Sequence, residues 1–76
     1  MLLRFVKVGQ IFLFPELDSK ELSMYKKMES PQKNVIIGRK IIVQDGELED
    51  TETVSFFDKS FFDFNVGIYK HIEKRF

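Results

Sequence analysis

Hydrophobic and polar positions along the chain change phase every few residues, which predicts short strands joined by tight turns. Residues 3–8 read as a first strand, Gly9 as a turn or bulge, and residues 11–14 as a second strand stopped by Pro15. Next, Asp18 is placed to cap a helix, with Glu21 three residues on and Leu17 and Leu22 as a staple. Such a helix carries Leu22, Tyr25 and Met28 on one stripe and ends before Ser30-Pro31. The competing reading makes residues 23–29 a strand.

The β-branched runs Val35-Ile36-Ile37 and Ile41-Ile42-Val43 flank Gly38-Arg39, which predicts a hairpin with glycine at the first central position of a type II′ turn. Asp45-Gly46 marks another turn. The acidic residues 47–52 are poorly suited to burial and read as an exposed loop. Residues 53–57 form one further strand candidate. The alternation of Phe62, Phe64, Val66 and Ile68 marks another, with Asp58-Lys59-Ser60 between the two. The four-residue spacing of Ile68, Ile72 and Phe76 suggests a closing helical turn. Together these elements predict a mainly β fold: a small five- to six-stranded SH3-like, partly open barrel with one short helix or long loop inserted.

Length changes this picture little, because 76 residues make a single domain, 1–76, with one core. Composition says what fills that core. There are no cysteines and one histidine, His71, so disulfides, thiolate metal sites and imidazole zinc sites are outside its chemistry, and no cofactor is expected. Nine phenylalanines supply the apolar mass instead. Arg4 and Lys7 interrupt the first apolar stretch, which argues against a secretory signal. The longest apolar runs fall far short of the roughly 20 residues of a membrane-spanning helix. A cytoplasmic location, away from membranes, is the expectation.

No catalytic constellation emerges, so the chain is read as a non-enzyme. Gly38-Arg39-Lys40 lacks the upstream glycine and the following Ser or Thr of a phosphate loop. Ser30-Pro31-Gln32-Lys33 matches the S-x-x-K spacing of serine acyl enzymes without its companion motifs. Asp45, Glu47 and Glu49 alternate like calcium ligands, yet Asp50 stands where an EF-hand needs glycine and Phe56 where it needs glutamate. Glu49 and Glu52 are too exposed on such a loop for their carboxyls to take opposite roles as acid and base.

Charge separates the chain into two halves. Residues 20–44 carry +4 and residues 45–63 carry −6, although the whole is neutral. Two binding surfaces follow. One is acidic and Phe-bearing: Glu47, Glu49, Asp50 and Glu52 steer a protein partner, and one of Phe56, Phe57, Phe61 or Phe62 anchors it, with Phe57 and Phe61 preferred. Adjacent phenylalanines point to opposite faces of a strand, so one of each pair faces outward unless both faces are covered, which leaves room for a homodimer. The other surface is basic: Tyr25, Lys26, Lys27, Arg39 and Lys40 would contact the phosphates and bases of a nucleic acid.

The segment Phe5-Val6-Lys7-Val8-Gly9-Gln10-Ile11-Phe12, followed by Met24-Tyr25-Lys26-Lys27 and Asn34-Val35, resembles a group of small accessory proteins of tailed bacteriophages. In those proteins a K-V-G-x-x-F opening leads to a Y-x-K strand and an N-A/V strand. The resemblance covers about the first half of the chain, and the Phe-rich second half departs from it. It implies a small SH3-like barrel, a strand at residues 23–29, and an accessory role in infection: binding or inhibiting a host protein in the host cytoplasm.

Overall fold

The computed structural model describes residues 1–16 and 21–70. A 3-10 turn at Leu3–Phe5 opens the chain, followed by β1 (Ile11–Pro15), β2 (Leu22–Met28), β3 (Val35–Gln44) and β4 (Glu47–Asp58). A second 3-10 turn at Lys59–Phe61 leads to the short β5 (Gly67–Ile68). All five strands form one antiparallel sheet in the order β4-β3-β2-β1-β5. The fold is mainly β, and the sheet does not close on itself among the described residues.

Several expected elements take other forms. Residues 3–8 form a 3-10 turn, a short extended stretch and the start of a turn at Val8-Gly9, and the Leu3 and Arg4 N–H groups donate to the carbonyls of Phe64 and Phe62, each at 2.9 Å. The helix expected after Asp18 is replaced, within the described residues, by β2, because Leu22–Met28 lies between β1 and β3 and fills a ladder on each side. Asp18, Leu17 and the tail residues Ile72 and Phe76 lie outside the described residues. Gly38-Arg39 makes no turn; β3 runs straight through it, and the hairpin turns at Asp45-Gly46 instead. There φ is +54° at Asp45 and +79° at Gly46, the positive pair that suits a type I′ turn. The acidic residues 47–52 belong to β4, and the strand expected over residues 62–68 is reduced to β5.

Directly opposed residues of neighbouring strands share a face, so the register sorts the side chains. Phe12 faces Tyr25, and Ile36 faces Phe57. These residues join Leu3, Val6, Phe14 and Val66 in the core, with Phe61, Phe62 and Ile68 packed against it. Gly38 lies among them. A β-carbon there would sit 3.0 Å from Tyr25 Cβ, 3.2 Å from Phe57 Cε2 and 3.3 Å from Phe12 Cζ. Its hydrogen leaves the room that three aromatic residues occupy.

The sheet curls around this core. β1 and β4 are three strand spacings apart, about 14 Å on a flat sheet, yet the rings of Phe14 and Phe57 are 5.0 Å apart between centroids. A bulge contributes to the curvature: Arg39 pairs with Val54 and Ile41 with Asp50, so Lys40 alone opposes residues 51–53. The Thr51 hydroxyl donates to the Lys40 carbonyl at 2.8 Å and holds the extra residues down.

Candidate protein-interaction surface

β4 is an outer strand of the sheet and carries Glu47, Glu49, Asp50, Glu52 and Asp58 without one basic residue. Its first part belongs to a projecting ribbon. β2 pairs with β3 only as far as Ile41, beyond which Ile42, Val43 and Gln44 pair with Glu49, Leu48 and Glu47 alone. The molecule measures 42 × 26 × 24 Å, and Tyr69 approaches the ribbon beside Val43 and Leu48. By alternation Glu47 and Glu49 lie on one side of this ribbon, and Val43 and Leu48 on the other.

The four predicted carboxylates do not behave alike. Asp50 turns to the outer face of the sheet and meets Lys26 Nζ at 3.4 Å. Glu47, Glu49 and Glu52 are exposed, and none of them enters an ion pair among the described residues. Asp58, at the end of β4, accepts from the Ser60 hydroxyl and from its backbone N–H; the side-chain bond is the larger of the two influences that hold its carboxyl below the ordinary value.

The aromatic anchors require a correction. Phe57 is 5% exposed and sits in the core, because its partner Ile36 fixes it on the inner face. Phe61 is half-buried against the same core. Phe56, one residue away and opposite Ile37, is 67% exposed on the outer face beside Val54. It is the exposed aromatic residue of β4. The amino-acid order alone shows that one of Phe56 and Phe57 faces out, but the choice depends on which is paired with Ile36.

The basic residues are not gathered into one surface. Tyr25 is 8% exposed and packs its ring on Phe12 and Phe57, so it offers no stacking platform. Lys26 and Arg39 oppose one another on the outer face, while Lys27 opposes Gly38 and Lys40 opposes Tyr25 on the inner one. Lys27 Nζ donates to the Val6 carbonyl at 2.6 Å, and burial holds its ammonium below the usual lysine value. Apart from Asp50, the outer face around Lys26 and Arg39 presents apolar neighbours, with Leu13, Met24, Ile37, Ile41 and Val54 in register across four strands.

Among the described residues no helix is long and apolar enough to cross a membrane, and no group of three or more His, Cys, Asp or Glu could hold a metal ion. His71 lies outside them. The chain matches no protein-family model, no curated protein and no solved structure.

Proposed function

We propose that this chain is a non-enzymatic protein-interaction module that engages a basic partner through the acidic β3–β4 hairpin and Phe56. The observation that supports it most is the projecting β4: among the described residues Glu47, Glu49 and Glu52 enter no ion pair, and a largely exposed phenylalanine follows on the same strand. Carboxylates at the rim accelerate and orient encounter with a positively charged surface, and a desolvated aromatic ring supplies affinity at the centre. The resemblance of the first half to small phage proteins makes a host protein, bound or inhibited during infection, the partner class that fits this reading. The SH3-like relationship belongs to the same proposal.

The test compares the chain with its triple variant Glu47→Lys, Glu49→Lys and Glu52→Lys in affinity capture from a bacterial lysate, with mass spectrometry of what is retained. A basic protein held by the first and lost by the second supports the reading. Capture unchanged by the reversal overturns it.

A further inference from the structure

Where the end of β1 approaches β4, a cleft opens among aromatic side chains. Phe14, Tyr25, Phe56, Phe57 and Phe61 line it together with Pro15, Ser55 and Glu16, and among the described residues no basic side chain does. The ring of Phe57 is the centre of the packed aromatic cluster that forms its floor, with centroids 5.0 Å from Phe14, 5.5 Å from Tyr25 and 6.0 Å from Phe61. Glu16 is half-buried. Its Oε1 accepts from the Ser23 hydroxyl and, at 3.4 Å, from the Tyr25 hydroxyl. These are neutral donors, and among the described residues Glu16 enters no ion pair.

A carboxylate offers about four lone-pair sites, so Glu16 keeps acceptor capacity after both hydroxyls have bonded. Among the described residues its side-chain partners are neutral, and a cation would add a charge-assisted hydrogen bond to the acceptor positions that remain. Of the lining rings Phe56 and Phe61 keep exposed surface, and the negative potential of a ring face attracts the same cation. An anion would meet Glu16 with the wrong sign. An aliphatic group would strip water from the carboxylate and return nothing.

We propose that this cleft receives a cationic side chain, lysine or arginine, from the partner. The inference rests on the reading that the partner is basic, and it names the chemistry of one contact.

Small cations test it without the partner. The whole chain is titrated at constant ionic strength with n-butylammonium and n-propylguanidinium, which reproduce the two side-chain ends, and with n-pentanol as the neutral control. Ring signals of Phe14, Tyr25, Phe57 and Phe61 are followed by NMR. The cations are expected to give saturable shifts at these rings, and Glu16→Gln to weaken them roughly tenfold. Glu52→Gln, outside the cleft, leaves them unchanged. Equal shifts from n-pentanol, no saturable shift, or unaltered affinity in Glu16→Gln each overturn the proposal; the pentanol comparison needs no variant and decides even if Glu16→Gln fails to fold. Loss of the captured partner on charge reversal, without cation shifts at the rings, keeps the acidic surface and removes the cleft. Cation shifts with capture insensitive to charge reversal do the opposite.

Discussion

Gly38 is the residue where one methyl group has the largest leverage. Its missing β-carbon would press on Tyr25, Phe57 and Phe12 at 3.0 to 3.3 Å, two of them rings held by further aromatic contacts. Gly38→Ala is therefore expected to cost about 1–3 kcal/mol, as overpacked cores do. Urea unfolding checks this as a lower midpoint at constant slope; an unchanged midpoint would mean that the rings yield freely. The glycine was legible in the sequence and its purpose was not. Between two β-branched runs it resembles a turn, since neighbours in the chain carry no information about rings arriving from β1, β2 and β4. Asp58 belongs to the same scale. Its folded carboxyl titrates below the ordinary 3.8, so the unfolded chain binds more protons in acid. The stability it contributes is complete above that ordinary value and disappears as pH falls through the lowered one. Asp58→Asn keeps an acceptor for Ser60 but cannot titrate, and should flatten the acid limb of stability against pH. An acid limb of unchanged slope would assign the effect to other carboxylates.

At the scale of elements, the β3–β4 hairpin combines two regimes in one pair of strands. From Val35 to Ile41 it is flanked by β2 or backed by the core, whereas residues 42–49 are a two-stranded ribbon. Isolated hairpins are only marginally stable in water. Amide hydrogens of residues 42–44 and 47–49 should accordingly exchange well before those of residues 36–38, through local opening that leaves the rest intact. Uniform protection along the hairpin would show that the tip is supported by something more than its own ladder. Much of this element was readable: the runs at 35–37, 41–43 and 53–57 and the Asp45-Gly46 turn are all where their composition suggests. The acidic stretch was misread because a strand needs only a backbone partner, and β3 supplies one while the carboxylates stay in water. At β2 the competing strand reading of residues 23–29 holds and the helical one fails, for a related reason. Leu22, Tyr25 and Met28 satisfy a helical stripe, but flanking strands on both sides offer hydrogen bonds that no local pattern records.

Over the whole molecule, the curled sheet separates a filled inner face from an outer one that carries Phe56, so two adjacent phenylalanines have opposite expected behaviour. Phe57→Ala should lower stability by about 3–5 kcal/mol, the range for deleting a core ring. Phe56→Ala should stay within about 0.5 kcal/mol in unfolding yet weaken partner capture by about 2 kcal/mol or more, as an interface anchor does. Equilibrium unfolding and a binding isotherm measured on the same two variants check the division. Equal destabilisation by both would place Phe56 in a packed interior and deny it to a partner. The acidic segment was visible from the outset, because Glu47, Glu49, Asp50 and Glu52 follow one another closely in the chain and stay together on β4. The basic segment was equally visible but spans β2 and β3, whose alternation sends its lysines to both sides.

The earliest residues of the chain depend on some of its last described ones. Leu3 is fully buried against a core that includes Val66, and its N–H is bonded to Phe64. During synthesis at about 5–20 residues per second, Leu3 and Val6 therefore wait roughly 3–12 s before the other side of their pocket has been made. Until then the growing chain holds an apolar segment whose partners do not yet exist, and the core around Leu3 closes only after residues 64–66 have been made.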